Sequence, residues 1–320
     1  MPTIVALLGD FKPEQVAALQ LALPTGARVV EQGAPELAKA DVAVTWSVDV
    51  NGALLDSAPN LSSVVKLDSG PATIDESECA DRGISLQIVE SPGLISVAEH
   101  AVMLILAVFK RLGIASDRVR AGQLVDGVTP ELTTQESYAY NWVGLERFEA
   151  LYGKTIGLVG LGKIGLEAAK RLKAFETDVV YTKRNRLDGP EEQRLGVRYL
   201  PFDELLEESH CVSLHNRFTP ETEKMMGARE FALMRAGSFF VNTARGRLVD
   251  EEALAAALKS GHLAGAALDV FEYEPFQPDS PLLDSPNVIL TPHTAGIPID
   301  VSIAQELELA GKRISVAAAG

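Results

Sequence analysis

The chain has 320 residues, enough for two domains of ordinary size, and its 47% apolar and 23% charged residues are the balance of a folded globular protein. Its formal net charge of −15 argues against a nucleic-acid partner, because phosphate neutralisation needs clustered Lys and Arg, and reads as a solubility charge. Two cysteines, Cys79 and Cys211, are too few for a disulfide framework or a zinc site, so no metal is expected.

The N-terminus, Met1 to Asp10, has no basic leader before a long apolar core and reads as a first strand. Strands are predicted at Thr3–Leu8, Ala27–Val30, Val42–Thr45, Val64–Leu67 and Ile84–Val89, with helices such as Pro13–Leu23 and Pro35–Ala40 between them. This alternation predicts a parallel sheet with helices on its faces. A long helix is expected to open at Ser96, where Ser96 and Glu99 have capping-box spacing, and to end with Lys110 and Arg111 before Gly113. Its middle, Ala101 to Phe109, is apolar on every face, which predicts burial at a domain or subunit boundary. That run falls short of the about 20 residues that span a bilayer, so no membrane is implied and a cytoplasmic location is expected.

From about Ala115 to Leu151 the pattern is irregular and holds Tyr138, Tyr140, Trp142 and Phe148, which suggests a functional or partner-facing segment. A second alternating block runs from Lys154 to about Ala295, and Val301–Ala319 reads as a helix returning to the first domain.

The second block opens on the strand-like Thr155–Val159, then Gly160-Leu-Gly162-Lys163-Ile164-Gly165, then the helical Leu166–Phe175. The flanking strand and helix lift this above an incidental glycine turn. Gly160 permits the tight turn, Gly162 lets the backbone approach a pyrophosphate, and Gly165 allows close helix–strand packing. The next strand, Asp178–Thr182, ends where such a domain selects its cofactor. An acidic residue there contacts the ribose 2′-hydroxyl of NAD; this chain has Thr182-Lys183-Arg184-Asn185-Arg186. Lys and Arg bind a 2′-phosphate, so NADP(H) is favoured, with NAD(H) the alternative if the turn is merely a solvated basic one.

Three further residues fall just past strands. Arg245 follows Ser238–Ala244, Glu274 follows Ala266–Phe271, and His293 follows Val288–Pro292. In an open parallel sheet these positions share the carboxyl edge with the glycine turn, where ligands bind. An imidazole suits transfer of the substrate's hydroxyl proton, so His293 is the candidate acid/base. A carboxylate beside it holds the tautomer and favours the imidazolium, the role assigned to Glu274. A guanidinium grips a substrate carboxylate and polarises the adjacent carbonyl, which suits Arg245. Each has a plainer reading: a solvated Glu, a loop ion pair with Arg247 close by, a structural His. His215, after the strand Cys211–Leu214, competes for the acid/base role.

Taken together, Val159-Gly-Leu-Gly-Lys-Ile-Gly165, Asn242-Thr-Ala-Arg-Gly246, Ala267-Leu-Asp-Val-Phe-Glu-Tyr-Glu-Pro275 and Thr291-Pro-His-Thr-Ala-Gly296 resemble the D-isomer-specific 2-hydroxyacid dehydrogenase family, which includes glyoxylate/hydroxypyruvate reductases. Weaker matches are Ser91-Pro-Gly93, Ala98-Glu-His100 and Ser213-Leu-His215. The resemblance implies an α/β fold of two doubly wound parallel-sheet domains, a Rossmann cofactor domain (99–296) inserted into a flavodoxin-like substrate domain (1–98 with 297–320). It implies Arg245, Glu274 rather than Glu272, and His293 as the catalytic set. It implies a cofactor site of Gly160, Gly162, Lys163, Ile164, Gly165, Thr182, Lys183, Arg184, His215, Thr243, Ala244, Asp269 and Gly296. Ser69 and Gly70 would join Arg245 and His293 around the substrate, a small 2-keto or 2-hydroxy acid. A homodimer built around the long helix is implied as well.

The chain departs from that family at its substrate loop, usually Gly-x-Gly-x-Asp-Asn-Ile-Asp. Here Asp68-Ser69-Gly70-Pro71-Ala72-Thr73-Ile74-Asp75 adds a negative charge and loses a backbone donor at Pro71. His215-Asn216-Arg217-Phe218 replaces a common His-Leu-Pro-Leu, with Arg217 either a further phosphate contact or a solvated residue, and the segment 122–151 is longer than usual. Reduction of a small 2-keto acid to a D-2-hydroxy acid, or the reverse, is the main expectation. The alternatives are dehydrogenation of another small anion such as phosphite, and a catalytically silent dinucleotide-sensing module.

Overall fold

The computed structural model describes residues 3–319. The chain divides into two compact units, Met1–Ser96 with Gly296–Gly320, and Val97–Ala295.

In the first unit β1 (Ile4–Leu8), β2 (Arg28–Glu31), β3 (Val42–Thr45), β4 (Ser63–Leu67) and β5 (Ser85–Val89) form one parallel sheet in the order β2-β1-β3-β4-β5. This is the flavodoxin-like doubly wound order. β3 is buried along its whole length and β1 along all but its first residue, which is why they read as apolar runs rather than alternating ones. On one face the helix Ile299–Ala319 supplies Ile303, Leu307, Ala310 and Ile314 to a core with Leu19, Val5, Leu7 and Leu67. Gly311 makes this packing close: a Cβ there would lie 2.6 Å from that of Ala22. Ala6, Leu8, Leu55, Val64 and Cys79 fill the other face.

The second unit holds β6 (Thr155–Val159), β7 (Asp178–Thr182), β8 (Val197–Tyr199), β9 (Cys211–Leu214), β10 (Phe239–Asn242), β11 (Gly265–Leu268) and β12 (Val288–Leu290). All are parallel, in the order β12-β11-β10-β9-β6-β7-β8. The direction of winding reverses between β6 and β9, so a crevice opens at their carboxyl ends, the ligand-binding place of such sheets.

Three expected boundaries move by three residues or more. The long helix runs Pro92–Phe109 rather than from Ser96. Ser91 Oγ accepts the Gly93 N–H (3.2 Å), Pro92 occupies the first helical position, and Glu99 pairs with Arg171 (3.1 Å) instead of closing a capping box. At 18 residues and mean hydropathy 1.9 it is the one helix among the described residues long and apolar enough to cross a membrane. Its buried side, including Leu104, Ile105 and Phe109, packs in the sheet's core with Ile156, Leu158 and Val241. The segment expected to be irregular from Ala115 begins with the helix Leu112–Arg120, and the helix after the glycine turn starts at Lys163, not Leu166.

Candidate active site

The glycine turn is shaped by close approach. Gly160 has φ +95°, and a Cβ there would lie 2.7 Å from Asn216 N; at Gly165 it would lie 2.6 Å from Gly160 O. Gly162 differs, since nothing lies within 4 Å of its Cβ position. The helix Lys163–Lys173 begins there with no side-chain cap from Gly162, so the positive end of the helix faces the turn, where an anion is favoured. Past the ends of β9 and β10, His215 Nδ1, Asn216 Oδ1 and Thr243 Oγ1 are buried without a hydrogen-bond partner. Buried polar atoms cost stability unless something satisfies them. An open glycine turn, an uncapped helix start and orphaned polar atoms at one sheet edge fit a bound dinucleotide.

His215 is half-buried, and burial of its ring pushes the imidazole down to about 4; its Nε2 lies 3.0 Å from Ser213 Oγ. A ring held neutral this way is a poor proton donor at ordinary pH.

The basic turn after β7 sorts its cations. Lys183 Nζ folds back to donate to Leu161 O (3.2 Å). Arg186 forks onto Glu192 (2.8 Å to each oxygen) and stacks on Tyr199. Glu192, held by Arg186 and then by the Tyr181 hydroxyl, falls to about 2, while burial and that same bond raise Tyr181 to about 12. Arg184 forms no ion pair among the described residues. It only adds to the lowering of Glu221, for which the Thr219 hydroxyl is the main cause.

The chemistry-bearing residues stand past β10, β11 and β12. Buried Asn242 clamps its loop, Oδ1 accepting from Ala244 N (3.0 Å) and Nδ2 donating to Arg245 O (2.9 Å). Arg245 itself is exposed, and its guanidinium donates to Ala244 O (2.6 Å). Glu274 Oε1 accepts the Phe271 N–H (3.0 Å), and Oε2 lies 2.6 Å from His293 Nδ1. Glu272 is drawn off toward Lys224 (3.4 Å), and Arg247 pairs with Glu223 (2.6 Å). No hydrogen bond or ion pair joins Arg245 to Glu274 or His293 among the described residues.

His293 has φ +55°, an uncommon conformation for a side-chain-bearing residue. Its N–H donates to Asp269 O (2.9 Å). Asp269 is fully buried; its carboxylate accepts from Thr291 Oγ1 (2.6 Å), Thr294 N (2.9 Å) and Ala295 N (2.8 Å). Its part in any cofactor site therefore runs through the loop it holds. His100 Nε2 meets Thr291 Oγ1 at 3.1 Å, so two residues absent from the expected site, Thr291 and His100, hold Asp269's surroundings. His100 had only the weak Ala98-Glu-His100 match as a sequence signal, whereas Thr291 opens the Thr291–Gly296 match without having been singled out.

The loop 68–75 belongs to the first unit, as does Gly296. The backbone donors of 68–70, 72 and 73 are taken within that unit. Asp68 N donates to Val89 O (3.0 Å), Gly70 N to Leu67 O (3.1 Å), Ala72 N to Trp46 O (3.2 Å) and Thr73 N to Asp49 Oδ1 (2.7 Å). Ser69 N donates to Oε2 of the fully buried Glu306 (3.0 Å), whose other oxygen accepts from Ser302 (3.0 Å). Neither Ser69 nor Gly70 thus offers a free backbone donor to a carboxylate.

Residues 102–295 match the family described as D-isomer specific 2-hydroxyacid dehydrogenase, NAD binding domain. The glyoxylate reductase of Thermofilum pendens is 40% identical over 253 residues, 78% of this chain and 70% of that one. The glyoxylate/hydroxypyruvate reductase B of Escherichia coli K12 is 35% identical over 267 residues, 83% of this chain and 78% of that one. Among solved structures, D-mandelate dehydrogenase of Rhodotorula graminis in its apo form superposes with a TM-score of 0.63 at 26% identity, over 98% of this chain and 93% of that one.

Proposed function

Because the chain belongs to the D-isomer-specific 2-hydroxyacid dehydrogenase family, we propose that it reduces a small 2-keto acid to the D-2-hydroxy acid, or runs the reverse, with NADP(H) preferred over NAD(H). The observation that carries this reading is the Glu274–His293 contact of 2.6 Å at the sheet edge that also holds the glycine turn. A bound reduced nicotinamide supplies the hydride for the carbonyl carbon. Glu274 holds His293 by Nδ1, and Nε2, which has no hydrogen-bond partner among the described residues, is left to deliver the proton to the carbonyl oxygen as it becomes a hydroxyl. Arg245 polarises that carbonyl and pairs with the substrate carboxylate. In the reverse direction His293 takes the hydroxyl proton.

Arg184 supports the cofactor preference, since a guanidinium without an ion pair suits a 2′-phosphate better than a ribose hydroxyl. A homodimer is part of the same reading: Met103, Leu106, Leu112 and Phe175 form an apolar groove along the long helix, and a second copy of that helix would cover it.

The test follows nicotinamide absorbance with NADPH or NADH against glyoxylate, hydroxypyruvate and phenylpyruvate. Turnover with at least one keto acid is expected. Cofactor binding without oxidation by any substrate overturns the reading in favour of a dinucleotide-sensing module.

A further inference from the structure

A second cavity, of about 230 Å³, lies at the opposite edge of the same sheet. Lys154 precedes β6, His210 precedes β9 and Ser238 precedes β10, so all three mark amino-terminal strand ends. Arg235 and Arg147 complete the cationic lining, and Glu149 is the one acidic side chain in it. Glu149 is paired with Lys154, and its N–H is anchored on Phe109 O (3.0 Å). The two guanidiniums have no ion-pair partner among the described residues, which leaves the cavity with an excess of positive charge.

Two observations point to a ligand rather than to a solvated basic surface. Ser238 is 2% exposed, and its hydroxyl is buried with no hydrogen-bond partner although it lines the cavity. An unsatisfied buried hydroxyl is costly, so a missing acceptor is the natural reading. His210 has its tautomer fixed: Nδ1 accepts the Thr155 N–H (3.1 Å), so in the neutral ring the proton sits on Nε2, a donor. Burial first, then the charges of Arg235 and Lys154, lower the ring's proton affinity and favour that neutral donor form. A hydroxyl, an imidazole N–H and two guanidiniums are all donors, an array that suits the several oxygens of one tetrahedral anion. The volume is below the roughly 300 Å³ at which pockets begin to take drug-sized ligands, so the occupant is small.

We propose that this cavity is a binding site, separate from the catalytic edge, for a phosphoryl group, carried either as inorganic phosphate or as a small phosphate monoester. Arg147 and Arg235 neutralise the anion, while Ser238 and His210 orient it.

The test uses the full-length protein with its nicotinamide nucleotide at saturation, so that the glycine turn is already filled. Inorganic phosphate and glycerol phosphate are titrated separately, with chloride at matched ionic strength as control. Thermal denaturation and the ring resonances of His210 are followed. A saturable rise in Tm and a saturable movement of the His210 signals are expected with at least one of the two, and the stronger binder identifies the source of the group. Arg235→Ala and Arg147→Ala are each expected to weaken binding about tenfold or more, and Ser238→Ala by less. Phosphate and monoester curves indistinguishable from chloride overturn the proposal, as does binding undiminished in the Arg147→Ala/Arg235→Ala double variant. Because neither Arg stands at the catalytic edge, the variants keep keto-acid reduction, which separates this result from failure of the proposed activity.

Discussion

His293 Nδ1 and Glu274 Oε2 lie 2.6 Å apart, and Glu274 is itself fixed by the Phe271 N–H. The loops after β11 and β12 thereby hold one imidazole by one nitrogen and leave the other for chemistry. His293→Ala is expected to lower kcat by about 10²–10⁴-fold, the range for loss of a general acid/base. Glu274→Gln keeps an acceptor beside Nδ1 but removes the charge, so its loss in kcat is smaller and its KM nearly unchanged. Steady-state kinetics on both variants check this; an unaltered kcat in His293→Ala removes the proton-transfer assignment.

The two arginines of the basic turn have different partners. Arg184→Ala is expected to reduce the NADPH-over-NADH preference in kcat/KM by roughly tenfold, the worth of one charge-assisted hydrogen bond. Arg186 is occupied by Glu192 and Tyr199, so Arg186→Ala leaves the preference in place and lowers Tm instead. Equal preference ratios in wild type and Arg184→Ala would contradict the cofactor assignment.

The glycines of the turn separate stability from binding. Gly162→Ala meets open space and ordinary φ, so Tm is unchanged while the cofactor KM rises roughly tenfold or more from steric crowding of the pyrophosphate. Gly160→Ala must place a Cβ against Asn216 at positive φ and is expected to destabilise the fold by about 2–4 kcal/mol. Paired thermal melts and cofactor titrations check both.

His215 gives the fold a pH dependence. Its folded-state value, about 4, lies below the unfolded 6.5, so the unfolded chain binds the extra proton between those limits. Stability from this residue is complete above pH 6.5 and declines as pH falls to 4, by on the order of 3 kcal/mol. Melts across that window are expected to show the decline, and His215→Asn to flatten it.

Met103 is 47% exposed on the long helix, beside Leu106. Met103→Glu is expected to convert a dimer to monomers, read by sedimentation equilibrium, with the far-ultraviolet circular dichroism unchanged. A wild-type protein that sediments as a monomer sinks the dimer reading.

Local pattern was enough for much of this molecule. β3 and β7 fall on the predicted residues because short apolar β-branched runs have sharp edges. The glycine turn was legible because the strand and helix around it were. The start of the long helix was not, since Ser96–Glu99 offered a capping spacing that the fold spends on Arg171, while Ser91-Pro92 made the real start. Nor was the partner of Ser69, for Glu306 lies 237 residues away and no local rule connects them. Arg184 and Arg186 looked alike in sequence, and only the position of Glu192 tells them apart.

The helix Ile299–Ala319 has a consequence for synthesis. Its Ile303, Leu307 and Ala310 share a core with Val5 and Leu7, so the sheet of the first unit lacks one wall until residues 299–319 have been synthesised. The unit Val97–Ala295 is contiguous and has no such debt. The contiguous unit is therefore expected to complete its core before the first unit does. The nascent first sheet, with Val5, Leu7 and Leu67 uncovered, is the species a chaperone would meet.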